Sequence, residues 1–245
     1  MDLRAEARAN FRRHLQENRY PGRGLLIGLS EDGESWLQLY WIMGRSPNSR
    51  NRIFVADGSE LRTAAADPAK LEDPSLIIYA AMLELPDLYL VSNGSQTRSM
   101  RNAIASGGTF EGALATHERE PDAPNYTPRI SGMLDLRSSA PTLALHSIRA
   151  NAADSARSDH TAFWVSPPPP GLGRCLTTYQ SDGKPLPPFE GAPLWLPLDG
   201  SPGAVLASYW DALDQDNRVS LALKVIPVAS GESTITIRNR FSAVG

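Results

Sequence analysis

The sequence predicts an α+β protein in which antiparallel strands dominate. Short apolar runs recur along most of the chain with turn-forming residues between them. Helical periodicity is confined to a few separated stretches. No internal repeat and no long flexible linker divides the 245 residues, and a hydrophobic content of 41% is enough to close a sizeable core. Helices set apart from hairpins in this way are expected to cover the outer faces of one or two sheets.

The elements follow in order. Leu3, Ala7, Phe11 and Leu15 recur every four residues and predict an amphipathic helix over residues 3–18, ended by Pro21 and Gly22. "GLLIGL" (24–29) and "WLQLYWIM" (36–43) read as strands joined through Asp32-Gly33, a hairpin signal. "RIFVA" and "LRTAAA", split by "DGSE", read the same way. "SLIIYAAMLEL" (75–85) fits strand or helix, and "DLYLVSN" (87–93) fits a strand. Residues 96–118 predict two helical pieces broken at "SGG" (106–108), with Thr109 capping the second. The prolines of "PDAPNYTP" (121–128) require a loop. "RISGMLDL", "TLALHSIRA" and "TAFWVS" are strands, and "SPPPPGLG" (166–173) is an extended surface connector. "PGAVLASYWDALDQ" (202–215) is a helix with Pro202 in its first turn, and "SLALKVIPVAS" and "STITIRNRF" end the chain as strands.

The charge balance narrows the partners. Lys plus Arg total 24 against 27 Asp plus Glu, a formal charge of −3. A general nucleic-acid binder would show a basic excess, so a small anion is the better match for any local basic cluster. No apolar run approaches membrane-spanning length, and the N-terminal residues lack a secretory signature, so a soluble cytoplasmic protein is expected. The single cysteine, Cys175, excludes an internal disulfide and reads as a small buried residue. His14, His117, His146 and His160 are scattered without ligand spacing, so no metal site is expected. There is no Walker loop, no GxGxxG after a strand and no GxSxG elbow.

One such cluster stands out. "GRSPNSRNR" (44–52), at the end of the strand 36–43, brings Arg45, Ser46, Asn48, Arg50 and Arg52 into one connection. Arginine forks match phosphate oxygens bidentately, with Ser and Asn as neutral donors. A solvated hairpin turn would account for the same residues. "YPGRG" sets Tyr20 and Arg23 at the mouth of the first strand. "VSNGSQT" leaves a strand through Asn93, Gly94 and Ser95 towards a helix, a geometry suited to an anion or oxyanion but also to an ordinary cap. "YTPRISG" puts Arg129 just after a proline, at the start of an apolar strand, where an unpaired guanidinium is costly. Glu118 and Glu120 in "HEREPDAP" fit a charged helix end, or a carboxylate for proton transfer.

Taken in this order, "YPGRG", "GRSPNSRNR", "IIYAAM…VSNGSQT" and "YTPRISGML" resemble the archaeal-type IMP cyclohydrolases and their bacterial relatives over roughly residues 20–137. Beyond 140 the resemblance is only a compatible succession of strands and a helix. The first 19 residues look like a helical extension ahead of a single domain spanning 20–245. The resemblance implies a four-layer α-β-β-α sandwich of the N-terminal-nucleophile hydrolase type. It also implies closure of formyl-AICAR to IMP with loss of water, the last step of purine synthesis. Met1 is followed by Asp2, so no Ser, Thr or Cys is poised as a free N-terminal nucleophile, and self-processing amide hydrolysis is not expected.

That chemistry needs a phosphate clamp, oriented donors and a proton shuttle, but no metal or organic cofactor. On the resemblance, Arg45, Ser46, Arg50 and Arg52 belong to the phosphate or ribose end, with Tyr20, Asn48, Gly94 and Thr127 also in contact with substrate. Arg23 and Arg129 would hold the base or the formyl oxygen, completed by Asn93 and Ser95. Tyr79 would transfer a proton or stack, and Glu120 is the candidate shuttle. The spacing of the arginine loop leaves Arg50 and Arg52 as alternatives for one place. A nucleotide sensor without catalysis, or an amide hydrolase on another phosphorylated substrate, remains open, as does assembly into a homo-oligomer.

Overall fold

The computed structural model describes residues 2–71 and 74–243; Met1, which bears on the expectation about the N-terminal residue, lies outside them. The chain is a mixed α+β fold built on two antiparallel sheets. Its strands are β1 (Gly24–Leu29), β2 (Ser35–Met43), β3 (Ile53–Asp57), β4 (Glu60–Ala64), β5 (Ala80–Leu85), β6 (Leu88–Ser92), β7 (Arg129–Asp135), β8 (Thr142–Ala150), β9 (Ser158–Val165), β10 (Leu172–Thr177), β11 (Leu194–Pro197), β12 (Arg218–Pro227) and β13 (Thr234–Asn239). The helices are α1 (Leu3–Phe11), α2 (Pro47–Arg50), α3 (Gln96–Ala105), α4 (Phe110–Leu114) and α5 (Pro202–Ala212).

One sheet has six strands in the order β11-β10-β1-β2-β12-β13, the other seven in the order β3-β4-β5-β6-β7-β8-β9. Alternation along β2 explains how the first sheet is buried on both faces. Trp36, Tyr40 and Ile42 enter a core shared with Val91, Ile130, Leu134 and Leu145 of the second sheet. Leu37, Leu39, Trp41 and Met43 face the other way, against Phe11 and Leu15 near the N-terminus and Val205, Leu206 and Tyr209 of α5. The far face of the second sheet buries Leu88, Leu90 and Met133 under Met100 and Ile104 of α3 and Phe110 and Leu114 of α4.

Several boundaries differ from the sequence reading. α1 stops at Phe11 and continues as a π-helical turn over Arg12–Gln16. The apolar period still holds, since Ala7, Phe11 and Leu15 are all buried. Of the ambiguous 75–85, only Ala80–Leu85 is strand; residues 75–77 form a turn in which the N–H groups of Ile77 and Ile78 both donate to the Pro74 carbonyl. α4 ends at Leu114, so Glu118 and Glu120 lie beyond it rather than on a helix end. β10 begins at Leu172, inside the stretch read as connector, and the four-residue β11 carries too short a pattern to be read in advance. The arginine connection is not an open loop. It contains α2, held by a capping box in which Ser46 Oγ accepts from the Ser49 N–H at 3.1 Å and Ser49 Oγ accepts from the Ser46 N–H at 2.9 Å.

Topology collects the segments of interest at one edge. β1 is antiparallel to both β2 and β10, so the start of β1 lies beside the ends of its two neighbours. In the other sheet β6 is antiparallel to β5 and β7, so the entry to β5, the exit of β6 and the start of β7 share an end.

Candidate functional site

At that end a cleft of about 210 Å³ is lined by Tyr20, Gly22, Arg23, Met43, Arg45, Ser46, Ser49, Arg52, Asp122, Asn125, Thr127, Thr178, Tyr179 and Leu186. Segment 20–23 reaches it by docking on the exit of β10. The Tyr179 N–H donates to the Pro21 carbonyl at 3.1 Å and the Thr178 N–H to the Arg23 carbonyl at 2.8 Å. Gly22 makes this approach possible. It has φ +73°, and a Cβ there would fall 2.2 Å from Thr178 Oγ1.

Three guanidinium groups line the cleft in different states. Arg45 reaches Asp182 Oδ1 at 2.5 Å and the Gly183 carbonyl at 3.0 Å, and lies 4.8 Å from the Tyr20 ring centroid. Arg23 Nη1 donates to both oxygens of Glu120, at 3.0 and 3.1 Å. Arg52 is 1% exposed and, among the described residues, forms no ion pair with a carboxylate. Its Nε donates to the Ser49 carbonyl at 2.8 Å and Nη2 to the Met43 carbonyl at 3.2 Å, while Nη1 has no partner among the described residues. Burial, then the charge of Arg23, lowers the pKa of Arg52. A buried, unpaired guanidinium nitrogen is costly unless something else binds it.

Beneath the cleft lies a buried polar group. Glu120 is 2% exposed; burial raises its pKa against the opposing charges of Arg23 and Arg129. Burial lowers the pKa of Arg23, but Glu120 together with Tyr79, Tyr40 and Tyr179 holds it well above the usual arginine value. Tyr40 and Tyr79 share a hydroxyl hydrogen bond of 2.7 Å, and burial raises the pKa of Tyr40. Arg129 donates from Nε to the Glu118 carbonyl at 2.8 Å and from Nη1 to Gln96 Oε1 at 3.0 Å. It lies across Gly94, where a Cβ would come 2.3 Å from Arg129 Nη1.

The other sequence candidates are distributed as follows. Arg50 turns from the cleft, donating to the Gly44 carbonyl at 2.9 Å and Asn217 Oδ1 at 3.3 Å, so Arg52 is the member of that pair facing the cleft. Asn48 lines a separate hollow with Arg50, on the other side of α2. Asn93 is fully buried and works as a staple: Nδ2 donates to the Pro128 carbonyl at 2.9 Å, and Oδ1 accepts from the Ile130 N–H at 2.8 Å and from Gln96 at 3.1 Å. Ser95 is exposed and borders another hollow with Arg98, which Tyr79 also lines.

Residues not anticipated are Ser49, Asp122, Asn125, Thr178, Tyr179 and Asp182. Tyr179 stacks on Tyr20 with centroids 6.0 Å apart and shares a 2.5 Å hydrogen bond with Thr127, whose hydroxyl also bonds Asp122. Burial raises the pKa of Tyr179. The signal was present as polar "TTYQSD" following an apolar strand, the same arrangement that marked Arg45 after Met43.

The family model for IMP cyclohydrolase-like proteins matches residues 20–230. The chain belongs to this family. The matched span includes every residue lining the cleft and leaves out α1 and β13. No curated protein matches the chain in sequence. Family membership extends the likeness seen in the first half of the sequence over the second, which supplies Thr178, Tyr179 and Leu186 to the cleft.

Proposed function

We propose that the protein is an IMP cyclohydrolase, closing formyl-AICAR to IMP with loss of water in purine synthesis. The observation that carries this reading is Arg52, buried with an unpartnered Nη1 in a cleft it shares with Arg23 and Arg45. A phosphate monoester supplies the missing acceptor with charge-assisted geometry. Arg45, Ser46 and Ser49 close around the same phosphate, and the stacked Tyr20–Tyr179 pair borders the nucleoside. Family membership supports the choice of nucleotide. Two sheets with helices on both outer faces support the layering of N-terminal-nucleophile hydrolases.

In the reaction the carboxamide nitrogen attacks the formyl carbon, and the N–C bond forms as the formyl oxygen takes a proton. Loss of that oxygen as water, with the nitrogen's remaining proton, gives the ring. Both reacting groups belong to one molecule, so the protein contributes orientation and proton transfer. Arg23 stabilises the developing oxyanion, and Glu120 carries the proton from nitrogen to leaving hydroxyl. Arg129 keeps part of Glu120 ionised, and the Tyr40–Tyr79 pair extends the relay. A donor acting only in the transition state is worth about 3 kcal/mol. No metal or cofactor is required by this balance of atoms.

A second reading, nucleotide binding without turnover, is favoured by one observation: both Glu120 oxygens are already engaged by Arg23. A spectrophotometric assay with purified protein and fresh formyl-AICAR separates the two. IMP formation well above the uncatalysed rate supports the enzyme; tight IMP binding with no turnover refutes it in favour of the sensor.

A further inference from the structure

The sheet edges are not protected alike. β11 has only four residues, follows Pro193 and ends in Pro197. β3 is tied to β13 through Phe54 and Asn239 by hydrogen bonds of 2.9 and 3.0 Å, and β13 carries Arg238 with Arg240 just beyond. β9 has none of these devices. It is eight residues long, contains no Lys, Arg or Pro, and ends the seven-stranded sheet. Residues 160–162 and Trp164 are exposed, and among the described residues 159–165 make no backbone hydrogen bonds except to β8. A long edge without lysine, arginine or proline, its one acidic side chain (Asp159) engaged by Asn151 within the same chain, is a template for another strand.

The outer face of β9 is also self-complementary. Trp164, 54% exposed, donates its indole N–H to Glu111 at 2.6 Å. Four residues earlier on the same face, His160 meets His146 with ring centroids 5.5 Å apart. One end is therefore acidic and aromatic, and the other is imidazole.

We propose that β9 is a self-association edge, on which a second copy of this chain pairs antiparallel about a twofold axis at Ala162. The pairing joins two seven-stranded sheets into one of fourteen strands. Residues opposite one another in an antiparallel pair share a face. Centring on Ala162 therefore sets Trp164, with its Glu111, beside His160 of the second copy, and Thr161 opposite Phe163. Centring on Thr161 would instead set Asp159 against Phe163 and lose the match between the acidic and imidazole ends. The small Ala162 side chain at the axis leaves room for this contact.

The test uses the full chain. Sedimentation velocity at micromolar concentration is expected to show a dimer, and a monomer overturns the proposal. The double variant Ala162→Lys, Trp164→Lys changes two exposed side chains and is expected to sediment as a monomer that still unfolds cooperatively, at a temperature lowered by the loss of association; an unchanged dimer overturns it. Crosslinking reads the register independently of that variant's folding. Cys175 is fully buried and its thiol pKa is pushed up by burial, so it stays silent. A short bis-maleimide should link Ala162→Cys into covalent dimers. Ser158→Cys, whose two copies stand roughly 26 Å apart in this register at about 3.3 Å per residue, should not link. Linking at 158 and not at 162 overturns the pairing.

Discussion

Lys224 and Arg52 are both cations at the interior of the molecule, 0% and 1% exposed, but the fold treats them differently. Lys224, on the inward face of β12, donates to Glu84 Oε2 at 2.5 Å. Ser233 completes that carboxylate at 2.8 Å, and the ammonium lies 5.6 Å from the Tyr89 ring centroid. This joins β12 to β5 across the two sheets. Arg52, which lines the cleft, has two backbone carbonyls and a buried nitrogen with no partner among the described residues. The first arrangement is complete within the protein; the second leaves one nitrogen without an acceptor among the described residues. A buried charge with all its partners is evidence about stability, whereas one lacking a partner at a cleft wall points to a ligand.

Breaking the complete pair should have the largest effect. Lys224→Met leaves Glu84 at the sheet interface without its cation, and should cost roughly 3–5 kcal/mol of unfolding free energy. Chemical denaturation measures this, and the IMP affinity of the folded fraction should not change. Equal losses in Lys224→Met and Arg52→Met would remove the distinction between the two sites.

Next comes the carboxylate of the site. Glu120→Gln keeps the shape and a hydrogen bond to its surroundings but cannot carry a proton, and should lower kcat by about 2–3 orders of magnitude with little change in KM. Because burial raises the Glu120 pKa, its ionised form is lost as pH falls through a value above the usual carboxylate range. The acid limb of kcat should therefore lie above that range in the native protein and vanish from the variant's residual activity. Turnover undiminished in Glu120→Gln would transfer the shuttle to another group.

How much of this was legible in advance depended on the range of the interactions. Arg23 and Arg45 could be singled out because each sits at a strand end, and a strand end can be read from local pattern alone; both line the cleft. Tyr179 could not be ranked, because its approach to Tyr20 depends on the pairing of β1 with β10 across more than 140 residues. Choosing between Arg50 and Arg52 required α2, whose single turn points one inward and the other towards Asn217. Asn93 carried the right residue type for an oxyanion donor, yet its partners are the Pro128 carbonyl and the Ile130 N–H at the start of β7, contacts that exist only once β6 and β7 are adjacent.

The smallest expected effect concerns a third ionisable group, held neutral instead of paired. His146 is 4% exposed, with Nδ1 unpartnered among the described residues, and burial, then His160, lowers its pKa from 6.5 to about 4. The unfolded chain takes up the proton first, so this contribution to stability is full above pH 6.5 and is lost as pH falls towards 4. His146→Leu should flatten the fall in urea midpoint between those values; an unchanged slope would mean that other groups govern it.

The most direct test is calorimetric titration of IMP into the native protein and into Arg52→Met at one fixed salt concentration. If the idle guanidinium nitrogen awaits a phosphate, the variant should bind about 100-fold more weakly, corresponding to roughly 2.7 kcal/mol. Equal affinity in the two proteins would contradict the account at its centre.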